Sequence, residues 1–154
     1  MSRAFVKESD DDLPPLPERV VSPHPNFVTP SGLKQIESLV QSLEEQRGVA
    51  RAAGDRAQLA TIERDLRYWT QRRASARPVE PIASPDTVRF GVQVRLRFED
   101  DSERSFRLVG EDEADPAQGR ISWVSPIGAS LTGCAVGDEL EVLGQRAEIV
   151  ALES

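Results

Sequence analysis

At 154 residues, with 38% hydrophobic and 29% charged side chains, the chain has the size and balance of one ordinary domain or two small ones. The lone Cys134 excludes an internal disulfide and a cysteine zinc pair. No run approaches the roughly 20 apolar residues of a membrane span. MSRAFVKESDDD lacks the apolar core of a signal peptide, so a cytoplasmic location is expected. A net charge of −7 disfavours duplex nucleic acid as the main partner and points to a protein.

Taken in chain order, the first stretch holds the acidic run Glu8 to Asp12 and Pro14, Pro15, Pro17, Pro23, Pro25 and Pro30, and reads as an extended tail over residues 1–29. Phe5, Val20, Val21, Phe27 and Val28 are its candidate anchors. Thr29-Pro30 then combines a capping residue with a proline suited to the first helical position. Leu33, Ile36, Val40 and Leu43 follow as one apolar seam. After a break predicted around Gly48 to Gly54, Asp55 precedes a second seam of Leu59, Ile62, Leu66 and Trp69, with Gln58 placed to complete a capping box. Two narrow seams and a short loop predict an antiparallel helical hairpin over 30–76, with arms of about 20 residues and roughly 30 Å. Its tip lies between Arg47 and Arg56.

Three prolines, Pro78, Pro81 and Pro85, mark residues 77–87 as a linker. The period then changes to two. Val88, Phe90, Val92, Val94, Leu96 and Phe98 fall on one face, with Arg89, Gln93, Arg95 and Arg97 on the other. A turn at Asp100-Asp101-Ser102 leads to a strand through Phe106 and Leu108, then to an acidic loop from Glu111 to Asp115. Arg120 to Val124 reads as a third strand, Ser125-Pro126 opens a short helix ending near Gly133, and two strands around a Gly144-Gln145 turn close the chain. The fold class is therefore α+β: a helical hairpin followed, over 88–154, by a small, mainly antiparallel sheet with one short helix.

Charge is unevenly divided between these parts. Between Arg47 and Arg77 lie Arg47, Arg51, Arg56, Arg64, Arg67, Arg72, Arg73 and Arg77, opposed only by Asp55, Glu63 and Asp65, so that stretch is basic. The stretch from Glu99 to Asp115 is acidic. Such a division reads either as two solvated faces or as a polar molecule that meets its partner in one orientation. Catalytic patterns are missing. His24 lies between prolines, far in sequence from Cys134, and no Walker or Rossmann glycine pattern is present. The acidic loop lacks the spaced ligands and central glycine of an EF-hand. Trp69 and Trp123 read as packing residues.

Phe90 to Val94 (FGVQV), Phe106 to Asp115 (FRLVGEDEAD), Ile121 to Gly133 (ISWVSPIGASLTG) and Val136 to Val142 (VGDELEV) together resemble the carboxy-terminal domain of the bacterial Gre transcription factors, GreA and GreB. The segment Val28 to Leu33 is similar to the start of that family's coiled coil. The resemblance implies an FKBP-like sheet domain that grips the rim of the RNA polymerase secondary channel, and a coiled coil that enters it. It also implies tip carboxylates that hold magnesium jointly with the polymerase, which cleaves its own backtracked RNA.

Two departures bear on mechanism. The arms are expected to be shorter than in the cleavage factors by about ten residues each, or roughly 15 Å. Arg51 to Asp55 resembles the approach to the family's first tip acid, but Gln58 stands where a second would fall. Short arms also occur in the similar regulator of nucleoside diphosphate kinase, which binds polymerase without cleavage.

The expectation is thus a non-enzymatic, monomeric elongation regulator with no cofactor of its own, whose only nucleic-acid contact is made inside the polymerase complex. Its docking residues are Glu111, Asp112, Glu113, Asp115, Pro116, Ser125, Pro126 and Ile127, and its tip comprises Arg47, Arg51, Asp55 and Arg56. The alternative is a cleavage factor that delivers magnesium through Asp55, with Glu44 or Glu45 as helpers. An FKBP-like prolyl isomerase is disfavoured because the few aromatic residues do not suggest a lined pocket.

Overall fold

A computed structural model describes residues 14–154. The acidic run from Glu8 to Asp12 and the anchor expected at Phe5 lie outside them. The fold is α+β. It divides into a hairpin unit, residues up to 22 with 35–75, and a sheet unit, residues 23–34 with 76–154.

In the hairpin, α1 spans Pro30–Ala53 and α2 spans Arg56–Ser75. Their 24 and 20 residues correspond to about 36 and 30 Å of helix. The predicted seam is buried at Ile36, Val40 and Leu43 of α1 and at Ile62 and Leu66 of α2. Leu33, Leu59 and Trp69 are half-buried.

A break is expected around Gly48 to Gly54, and α1 runs five residues beyond Gly48, to Ala53, before Gly54 turns the chain at φ 67°. One internal glycine costs only about 1 kcal/mol, and Ala50, 1% exposed, carries the seam past it. A side chain at Gly48 would meet nothing within 4 Å. Gly48→Ala is therefore expected to stabilise the hairpin by about 0.5–1 kcal/mol, read as a raised urea midpoint at unchanged slope.

Asp55 opens α2 as expected. Its Oδ1 accepts from Gln58 N at 3.1 Å and its carbonyl from Leu59 N at 2.9 Å. The Asp55 N–H donates to Ala50 O at 3.1 Å, which joins the end of one helix to the start of the next. Arg72, placed by its sequence neighbours on a basic face, is instead 1% exposed. Residues 14–22 run without regular structure. Within them the Arg19 guanidinium lies 3.9 Å from the Tyr68 ring centroid, a cation–π contact of about 0.5–1 kcal/mol.

The sheet unit begins earlier than the expected tail boundary at residue 29. Phe27–Val28 forms β1, parallel to β2 at Arg77–Pro78. Arg77 N donates to Asn26 O at 2.8 Å and Val79 N to Val28 O at 2.9 Å. Val28 and Asn26 are 1% and 5% exposed, so the proline-rich composition describes the chain ahead of them and not this segment.

Five further strands form one mixed sheet: β3 Gln93–Phe98, β4 Glu103–Val109, β5 Arg120–Ser122, β6 Glu139–Val142 and β7 Gln145–Glu153. The spatial order is β5-β4-β3-β7-β6, parallel only between β4 and β5. The two-residue period predicts a strand from Val88, but β3 starts at Gln93. Gly91 adopts φ 85°, and the Val92 N–H turns back to Arg89 O at 3.1 Å. Val88 and Val92 are still buried, now from a turn. The core gathers Val94, Leu96, Phe98, Phe106, Leu108, Ile121, Val142 and Ile149 from the strands with Leu131 from α3, Pro126–Leu131.

Candidate functional site: hairpin tip and acidic loop

The hairpin tip presents Arg51, Asp55 and Arg56 to solvent, while Arg47 is half-buried on the seam between Leu43 and Ala50. Arg51 Nη2 reaches across the arms to Glu63 Oε1 at 3.2 Å. Arg47, Glu44, Glu63 and Arg67 line an open groove of about 520 Å³ between the helices. Asp55 is the only carboxylate between Glu45 and Glu63, and one of its oxygens caps α2. Glu44 and Glu45 lie about ten residues back along α1, roughly 15 Å from Asp55 along the axis. Among the described residues no group of three or more His, Cys, Asp or Glu converges on one point. The tip therefore does not fit a two-carboxylate magnesium site.

The acidic loop separates into residues with different surroundings. Glu113 is 9% exposed and faces inward. Its Oε2 accepts from Thr29 N at 3.0 Å and Gly110 N at 2.9 Å, and Oε1 accepts from the Thr29 hydroxyl. Thr29 Oγ1 in turn accepts from Gly32 N at 3.0 Å, as the N-cap of α1. A buried carboxylate thus meets the positive end of a 24-residue helix, where unpaired N–H groups need acceptors. Its hydrogen bonds are made inside the sheet unit, unlike those of a residue held open for a partner.

Gly32 and Gly110 make room for it. A Cβ on Gly32 would occupy the place of the Glu113 carboxyl, and one on Gly110 would strike the Phe27 carbonyl oxygen.

Glu111 and Asp112 are half-buried. Asp115 is half-exposed, with Oδ2 3.5 Å from Arg120 Nη2, and its backbone pairs with that of Arg120. Pro116 is exposed at the start of a single helical turn, Pro116–Gln118.

Ser125 caps α3: its Oγ accepts from Gly128 N at 3.1 Å and donates to Ser122 O at 2.6 Å. Pro126 is exposed at the first helical position, and Ile127 packs on the core. The expected docking residues therefore fall on two neighbouring segments joined by β5, with Pro116 and Pro126 exposed, Glu111, Asp112 and Asp115 half-buried and Glu113 enclosed.

Two other single residues have local roles. His24 stacks edge-on against Trp123 at 6.2 Å between centroids, and Phe27 does so at 5.2 Å. The Cys134 thiol donates to Ser130 O at 3.4 Å. Partial burial, then the charge of Asp138, push that thiol above its ordinary pKa, which makes it a poor nucleophile.

Residues 83–153 match the family model described as "Transcription elongation factor, GreA/GreB, C-term". The chain is 32% identical to transcription elongation factor GreB of Neisseria meningitidis serogroup B over 135 positions, covering 75% of this chain and 83% of the relative. It is 33% identical to GreA of Rhodospirillum rubrum over 135 positions, covering 75% and 86%. A GreA/GreB structure from Nitrosomonas europaea aligns at 25% identity and a TM-score of 0.41, covering 84% of this chain and 99% of that one. With the sheet domain matched along its length and the similarity continuing beyond it, the chain belongs to the GreA/GreB family of transcription elongation factors.

Proposed function

We propose that this elongation factor binds RNA polymerase at the secondary channel, docks through the outer residues of the acidic loop and the α3 start, and modulates elongation with little stimulation of transcript cleavage. It acts in the cytoplasm as a monomer and needs no cofactor of its own. The observation that carries this reading is the tip: one carboxylate, Asp55, already engaged as a helix cap and flanked by Arg51 and Arg56. Arm length supports it. The alignment with the Neisseria relative runs over 135 positions but takes in 75% of 154 residues, about 116, so some twenty positions of the relative have no counterpart here. Placed equally in the two helices, a deficit of that size would be roughly 15 Å of reach per arm.

The test is competition with a long-armed Gre factor for core polymerase, followed by cleavage of a backtracked complex in the same tube. Displacement without cleavage is the expected result. Cleavage that disappears in Asp55→Ala would instead make Asp55 a metal ligand and overturn the reading. The docking face has its own check. Asp112→Lys with Asp115→Lys is expected to weaken polymerase binding by about tenfold, since opposed charges set orientation and association rate. Unchanged affinity would remove the acidic loop from the interface.

A further inference from the structure

Residues 14–22 are held against α2 by two neighbouring side chains. Both oxygens of Glu18 accept from Arg67 Nε, at 3.1 and 3.2 Å, and Oε1 also accepts from Arg67 Nη2 at 2.5 Å. Beside it, the Arg19 guanidinium covers the Tyr68 ring at 3.9 Å, lies 5.4 Å from the Trp69 ring and sits 3.5 Å from Asp65. Apolar burial contributes little, because Val20 is 89% and Leu16 40% exposed. The segment is rich in proline, so little chain entropy opposes its extended form. Contacts of this kind are readily exchanged for others of the same chemistry.

What the strap covers is an arginine fork next to an aromatic face. A single-stranded nucleic acid offers complementary groups at each nucleotide: a phosphate that an arginine fork binds through two hydrogen bonds, and a flat base that stacks on a ring. In that comparison the Glu18 carboxylate stands where a phosphate would, and the planar Arg19 guanidinium where a base would. Arg73, one to two turns on in the same helix, extends the cationic side, while Arg64 is engaged by Asp65 through Nε at 3.2 Å and Nη2 at 3.1 Å. The sequence ahead of the strap adds Glu8, Asp10, Asp11 and Asp12, four more anionic groups on the same tether.

We propose that residues 14–22 form a self-competing strap that occupies a single-stranded nucleic-acid site on α2, centred on Arg67 and Tyr68. Binding requires the strap to leave, so the free chain holds RNA weakly until something displaces it. This site is independent of polymerase docking, and its test contains no polymerase.

Charge counting and strap release predict opposite results for one substitution. Arg19→Gln removes a cation, which by itself weakens attraction to RNA. It also removes the contact over Tyr68, which uncovers the ring and leaves the strap held by Glu18 on Arg67 alone. Anisotropy of a labelled 20-nucleotide single-stranded RNA is expected to show about two- to fivefold tighter binding to the Arg19→Gln chain than to the unaltered chain, with a steeper salt dependence. The exchange Glu18→Arg with Arg67→Glu re-forms the strap pair while destroying the fork, and is expected to bind no better than the unaltered chain. Thermal unfolding of each variant establishes that it is folded. Weaker or equal binding by Arg19→Gln overturns the proposal, as does tight binding by the exchanged pair. Equal tightening toward poly-L-glutamate also overturns it, because the surface would then recognise negative charge and not a nucleic acid.

Discussion

Glu113→Ala is expected to cost the sheet unit about 2–3 kcal/mol, the largest loss from any single acidic residue of the loop. The alanine leaves the Thr29 and Gly110 N–H groups without their acceptor in a site that is 9% exposed at Glu113. Hydrogen bonds to a charged acceptor contribute about 1.5–3 kcal/mol, and each buried donor left unpaired adds its own desolvation penalty. The helix end also loses its anion, worth a further few tenths to 1 kcal/mol. For a chain of this length the melting temperature should fall by about 5–10 °C.

Amide hydrogen exchange supplies the local check: protection should be lost first at Thr29, Gly32 and Gly110. Glu113→Gln keeps an acceptor for the two backbone donors and should lose less than half as much. A change within about 0.5 kcal/mol for the alanine variant, the range of an ordinary surface substitution, would refute the role assigned to Glu113.

Gly32→Ala should destabilise, although helix propensity alone predicts the reverse. Inside a helix, alanine is favoured over glycine by about 1 kcal/mol, and Gly48→Ala is expected to show that gain. At Gly32 the new methyl group would lie on the Glu113 carboxyl, whose oxygens are fixed by three hydrogen bonds. The carboxylate must leave or the first turn of α1 must shift. Overpacking of this kind costs about 1–3 kcal/mol, which outweighs the propensity gain. Paired urea titrations of the two glycine variants should therefore move in opposite directions. If both rise together, the space around Gly32 is not limiting.

The contrast between these glycines marks how far the sequence could be read. Hydrophobic spacing identified both hairpin helices and the sheet, because apolar period is the projection of a buried face, and the cap-then-proline pair Ser125-Pro126 identified α3. Cap chemistry placed the α1 start at Thr29-Pro30 and the α2 start at Asp55, since capping depends on residues within three positions of each other. β3 starts five residues later than the period predicts because Gly91 turns the chain ahead of it, and of the two glycines in the expected break Gly54 ends α1 while Gly48 does not. A glycine permits a turn without requiring one.

The role of Glu113 was hidden for a different reason. In the sequence it is one acid among Glu111, Asp112 and Asp115, and its principal partner lies 84 residues away. One signal did exist: a small residue three positions after a capping threonine, where a helix former would be expected. Arg72 carried none, because eight arginines in that stretch look alike until the fold buries one.

The parallel pairing of β1 with β2 makes the hairpin a cassette. The chain departs at Val28 and returns at Arg77 in adjacent hydrogen-bonded strands, so the two splice points are already stapled together. Turns of helix can be added to or removed from both arms without moving either splice point or any strand of the sheet. Evolution can thus retune the reach of the probe while leaving its base unaltered. An engineer could swap a longer hairpin between the same two strands and ask whether reach alone separates one behaviour from another.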